Sequence, residues 1–182
     1  MYTEVYPLEI QQGFTQDGVC VLMLYEPIES KRIPVMIGQH EAEMILLEKE
    51  GAKSRRPMTH ELISSLFDAF NLALTEVSID RFEEGIFYAT LYVNDGFITK
   101  KIDCRASDAI VLALREEVAI KMDNKVIEET GFQTDNESEL EIEEEETSIE
   151  TLEALLHEHE ENEEYEKAAE LAELIAKLKN NR

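Results

Sequence analysis

The sequence predicts an α+β fold: a duplicated β3α2 unit forming a mainly antiparallel, barrel-like sheet with helices outside, followed by a C-terminal helical hairpin. Three observations carry this. Over residues 1–134 the apolar pattern switches between strand-like and helix-like periods. Short identities recur at one offset: Gly18 and Gly85, Leu24-Tyr25 and Leu91-Tyr92, and Glu41-Ala42 and Asp108-Ala109 are each 67 residues apart. An acidic run then divides this body from two amphipathic stretches.

The elements come in order. Residues 3–10, 19–25 and 32–37 are rich in β-branched, aromatic and apolar side chains, with Gly13, Gly18 and Pro27 among the breaks. Ala42, Ile45, Leu46 and Lys49 then take helical spacing, closed by Gly51. Thr59 is the expected N-cap of a second helix carrying Leu62, Ile63, Leu66, Phe67 and Phe70. Strands resume at 74–82, 86–93 and 97–104, with Asn94-Asp95-Gly96 as a hairpin signal. A helix over 107–117 and a shorter one over 124–130, ended by Gly131, complete the body. Thr3-Glu4-Val5 recurs as Thr75-Glu76-Val77, 72 residues on, as a five-residue loop difference would give.

Residues 135–146 form an acidic linker in which eight of twelve side chains are Asp or Glu. Residues 147–182 open on a capping box, Thr147-x-x-Glu150, and read as two short helices with an Asn162 corner. Each has one apolar face, the second carrying Tyr165, Leu171 and Ile175. A hairpin this short buries little surface alone, so these three are the expected contacts to a protein partner or to a second copy.

Charge limits what the chain can bind. The formal net charge is −24, of which −10 falls in residues 1–134 and −14 in residues 135–182. That field repels nucleic acid at long range, so a nucleic-acid role must rest on a local basic patch. Lys31-Arg32, Lys53-Arg55-Arg56 and Lys100-Lys101-Arg105 are the candidates. The opening MYTEVYPLEI lacks the basic and apolar regions of a secretory signal, and no run approaches the ~20 apolar residues of a membrane helix. Cys20 and Cys104 lack metal-ligand spacing and read as reduced thiols. A cytoplasmic, homo-oligomeric protein without a membrane segment is the expectation. No Gly-rich phosphate loop is present, and no organic cofactor is expected.

KRIPVMIGQHEAEMI (31–45), RRPMTHELI (55–63) and CRASDAIVLALR (104–115) resemble the three signature stretches of the bifunctional nuclease family. With the strands between them they span nearly all of residues 1–134. The resemblance implies a duplicated β3α2 fold and cleavage of both DNA and RNA. ENEEYEKAAELAELIAKLK (161–179) resembles the UVR motif, a hairpin that makes protein–protein contacts, and departs from it at Ala172, where the motif carries an arginine.

Hydrolysing a phosphodiester requires charge neutralisation at the phosphate, an activated water and help for the leaving oxygen. Asp108 and Glu41 stand at two helix starts, where carboxylates serve a catalytic role, hold Mg²⁺ or Mn²⁺, or only satisfy free N–H groups. His60 is the candidate general base, since its ordinary pKa lies near neutrality. Arg105, Arg32 and Arg56 are the candidate phosphate ligands. Ser107 or Asp108 as a plain helix cap, with Arg105 paired to Asp108, remains open beside this. Two functions are consistent with these residues: a nuclease of little sequence specificity, or a non-catalytic oligomeric module that recruits a partner through its hairpin.

Overall fold

Alternating burial builds the first half. In the computed structural model, which describes residues 1–12, 19–52 and 55–133 together with Leu156, His157, Ala169, Ala172 and Ile175, strands β1 (Tyr2–Glu4), β2 (Tyr6–Gln12), β3 (Val19–Glu26) and β4 (Lys31–Gly38) come first. Along β4, Ile33, Val35 and Ile37 point inward and are buried, while Met36 between them is exposed. Helix α1 (Gln39–Lys49) continues from β4 without a loop, and α2 (Thr59–Ala69) comes next. The N-cap of α2 is Met58, and Thr59 is its first residue. Glu61 accepts the Met58 N–H at 2.9 Å, so the first turn is closed by the glutamate rather than by a threonine hydroxyl.

The second half repeats a meander and a helix. β5 (Ala73–Glu83) and β6 (Ile86–Asn94) meet at Glu84-Gly85, both at positive φ (52° and 83°), as a two-residue turn between twisted strands requires. β7 (Thr99–Arg105) runs directly into α3 (Ala106–Glu116). The chain closes with β8 (Ile120–Asp123), α4 (Asn124–Thr130) and β9 (Phe132–Gln133).

Two open sheets result, in the orders β1-β8-β5-β6-β7 and β2-β3-β4-β9. The expected barrel is therefore corrected. Closure would need the outer strands of one sheet, β1 and β7, to pair with those of the other, β2 and β9, and among the described residues they do not, while β8 stands between β1 and β5, parallel to β5 with Val77 opposite Ile120. The expected strand over 3–10 is also divided. At Val5, whose N–H donates to the Ile120 carbonyl, the chain passes from one sheet to the other. Nor does the β8–α4 pair after α3 have a counterpart after α1, where α2 stands, so three strands and two helices do not recur as one intact unit.

Helix α1 packs on β3 and β4, α3 packs on β5, β6 and β7, and the two helices pack on each other. Ala109, Ile110, Val111, Leu112 and Ala113 of α3 are buried, so α3 is enclosed on nearly all sides. Ile175, expected on a partner-binding face, is 6% exposed and belongs to the buried cluster, with Leu156 packed against it. Tyr165, Leu171 and the linker lie outside the described residues. Among the described residues no helix is long and apolar enough to cross a membrane.

Because Ile110 is fully enclosed, Ile110→Ala should reduce the unfolding free energy by about 2–5 kcal/mol, read from urea midpoints. Ile28→Ala, at an exposed position, should change it by less than about 0.5 kcal/mol.

Candidate functional site

Two helix starts are built alike. Glu41 is the third residue of α1 after the cap Gly38, and Asp108 is the third residue of α3 after the cap Arg105. A side chain at this position reaches back over its own helix start. At α1 the Glu41 carboxylate lies so close over Gly38 that a Cβ there would displace its Oε2. At α3 Asp108 reaches back to Arg105. Arg105 Nε donates to Asp108 Oδ2 at 2.8 Å and Nη2 to Oδ1 at 3.0 Å, a bidentate pair. Its Nη1 donates to Glu41 Oε1 at 2.6 Å. One guanidinium thus joins both helix starts.

His60, the second residue of α2, places Nε2 3.2 Å from Asp108 Oδ1. An ionised carboxylate only accepts, so Nε2 carries the proton and Nδ1 is left as the basic nitrogen. Burial would raise the Asp108 pKa, but the hydrogen bonds from Arg105 and His60 outweigh it and hold the carboxyl below the usual aspartate value. The arginine is raised in turn by its bonds to Asp108 and Glu41.

Four of the expected residues therefore converge: Glu41, His60, Arg105 and Asp108. The other two candidate phosphate ligands do not join them. Arg32 lies 3.7 Å from Glu9 on the four-stranded sheet, and Arg56 is exposed ahead of α2 with no bond to the cluster. The expected basic patch is dispersed, with Lys31 paired to Glu29 at 2.5 Å and Lys101 lying over the Tyr92 ring. His40 is exposed beside Glu43, and His157 is exposed.

A second set went unread in the sequence. Arg115 Nη2 donates to Glu61 Oε1 at 3.0 Å, and Nη1 pairs with Glu48. Glu61 also closes the first turn of α2 beside His60, so this set fixes α2 against α1 and α3. The available signal was spacing: Glu48 and Arg115 stand at the same 67-residue offset as Glu41 and Asp108.

The donors do not fit a divalent ion as arranged. Both carboxylates already serve the Arg105 cation, and among the described residues no three His, Cys, Asp or Glu side chains form a metal-holding group. Cys104, just before Arg105, has its pKa pushed up to about 12 by burial and by Asp108, Asp103 and Asp80, so it is a thiol and not a nucleophile. Glu41 and Arg105 line an open groove of about 210 Å³ between the end of β4, the β5–β6 turn and the starts of α1 and α3, while His60 lines a separate hollow with Met44, Glu48 and Glu61.

A family model described as the bifunctional nuclease domain matches residues 22–135. Proteins from two strains of Mycobacterium tuberculosis, both described as uncharacterized, are each 38% identical over 119 residues, covering 65% of this chain and 71% of theirs. The chain belongs to the bifunctional nuclease domain family.

The folded pKa of Asp108 lies below its unfolded value. Ionised Asp108 therefore adds stability that is complete above the unfolded value and is lost as pH falls through the folded one. Asp108→Asn should be less stable than the parent at about pH 7, and the gap between their urea midpoints should close by about pH 2. In the folded protein Cys104 should resist iodoacetamide at about pH 8 and become labelled in urea, as read by mass spectrometry.

Proposed function

We propose that the chain hydrolyses phosphodiester bonds of DNA, RNA or both, with little sequence specificity, at the Arg105 cluster. The observation that carries this reading is the convergence of Glu41, His60, Arg105 and Asp108 from three helix starts, two of them, Glu41 and Arg105, lining an open groove. Arg105, 66% exposed, offers the positive charge that a phosphate needs. Asp108 holds His60 in the tautomer that leaves Nδ1 as the base, and that nitrogen takes the proton of the attacking water. The departing oxygen then recovers a proton from the imidazolium. Glu41 holds the guanidinium in place. Mg²⁺ or Mn²⁺, expected from the sequence, would be held by Glu41 and Asp108 only with Arg105 displaced from both.

A second reading has its own observation. Leu62, Leu66 and Phe70 stand along one side of α2 and are exposed, an apolar stripe suited to a protein contact. On this reading the chain is a non-catalytic, oligomeric or partner-recruiting module, and the C-terminal hairpin is a further contact.

The two readings separate in a cleavage assay on labelled single- and double-stranded DNA and RNA, run with the full chain in Mg²⁺, Mn²⁺ or EDTA. Asp108→Asn, His60→Gln and Arg105→Gln should each reduce cleavage by about 10²-fold or more while circular dichroism stays unchanged. Cleavage that survives in all three would remove the chemistry from this cluster. Absence of cleavage under every condition would favour the module.

A further inference from the structure

We propose that the groove beside Arg105 seats a single nucleotide unit of a single-stranded substrate, its base against Met36 and Ile86 and its phosphate at Ser107 and the start of α3. This deepens the nuclease reading and rests on it for the choice of ligand.

The polar end is built for an anion. Ser107 lines the groove and is only 7% exposed, yet its hydroxyl makes no hydrogen bond among the described residues. The hydroxyl is not sealed from solvent, unlike that of Ser64, so it is a recessed donor that an arriving acceptor can take over from water. It stands in the first turn of α3, an eleven-residue helix whose cap, Arg105, has no side-chain acceptor for the leading N–H groups. A helix start with spare donors attracts phosphate. Arg105 lines the same groove and brings a guanidinium, at present balanced by Glu41 and Asp108. Glu41 lines it too and repels an anion, so an arriving phosphate shares the guanidinium that Glu41 now holds.

The opposite wall is apolar and open. Met36 is 68% exposed and Ile86 is 56% exposed, although both lie within strands that bury their neighbours Val35, Ile37 and Phe87. A nucleobase has the matching shape, with two apolar faces and a polar edge. At about 210 Å³ the groove is smaller than the ~300–1,000 Å³ sites of drug-sized ligands, which suits one nucleotide and not a stacked pair. Depth sets strandedness. An exposed arginine can touch the phosphates of a duplex, but a recessed serine is reached only by a nucleotide that leaves its stack, and unpaired strands do this at least cost.

The test is methyl NMR on the full chain labelled at methionine methyls, with Met36 assigned through Met36→Leu. The probes are uridine 5′-monophosphate, inorganic phosphate, a short single-stranded oligonucleotide and its blunt duplex. The monophosphate and the single strand should shift the Met36 signal, while inorganic phosphate and the duplex should leave it in place. Ser107→Ala and Ile86→Glu should each weaken the monophosphate by about tenfold or more. A Met36 signal indifferent to millimolar nucleotide, or moved equally by the duplex, overturns the proposal. So does a Met36 signal that shifts with protein concentration alone, since the face then belongs to a second copy. If Met36 responds but no substrate is cleaved, the seat stands and the nuclease reading falls. If cleavage proceeds and Met36 does not respond, the seat alone falls.

Discussion

Arg105 is shared by two carboxylates from two helices, and most of the architecture around the site depends on that shared cation. Start meets start through Arg105 with Glu41 and Asp108, and end meets end through Arg115 with Glu48. Helices α1 and α3 therefore lie side by side and point the same way. Parallel helix dipoles repel each other, and their positive ends meet at the groove. Each helix answers this with an acid in its first turn and a base in its last, Glu41 and Lys49 in one, Asp108 and Arg115 in the other. With Arg105 removed, two carboxylates would face each other with no cation between them. The charge arrangement that stabilises the helix pair is thus the same one that assembles the candidate site.

Net charge bears on how such a site would meet a polyanion. The body is negative and residues 135–182 more so, and the basic residues expected to form a patch are spread over separate faces with partners of their own. Long-range attraction is unavailable, and affinity must come from close contacts in a confined place. Within the groove a guanidinium, a helix start and a spare hydroxyl lie together, and the surrounding acidic surface would discourage every phosphate not seated there.

How much was legible depends on how local each signal was. Pairing of Arg105 with Asp108, three residues apart at a helix start, needed no knowledge of the fold. Bringing Glu41 to Asp108 was readable only from the 67-residue offset, which marked the two as equivalent without saying that they touch. His60 was readable as a candidate but not as the partner of Asp108, because that contact depends on how α2 leans on α3. The missed strand β8 has four residues, IKMD, with no turn glycine at either side, and nothing local marks it. Yet it shapes the topology, since it joins β1 to the β5–β6–β7 meander and brings a parallel pair into the sheet. The expected patch failed for the related reason that neighbours in sequence, such as Arg32 and Lys31, found different partners in space.

The stretch Arg105-Ala106-Ser107-Asp108 posed an alternative between a helix cap and a site, and the geometry makes the two compatible. A plain cap would have spent the serine or the aspartate on the leading N–H groups of α3. Instead Arg105 holds the cap position with extended backbone and no side-chain bond to the helix, Asp108 turns its carboxylate to Arg105 and His60, and Ser107 keeps its hydroxyl toward the groove. Sequence pattern cannot make this distinction, since both outcomes use the same residues in the same order. The deciding element is the second helix. With α1 alongside, Glu41 draws the guanidinium outward and α2 brings an imidazole to the same aspartate. A helix start standing alone would have been a cap. Set against its counterpart, it keeps donors to spare for an anion.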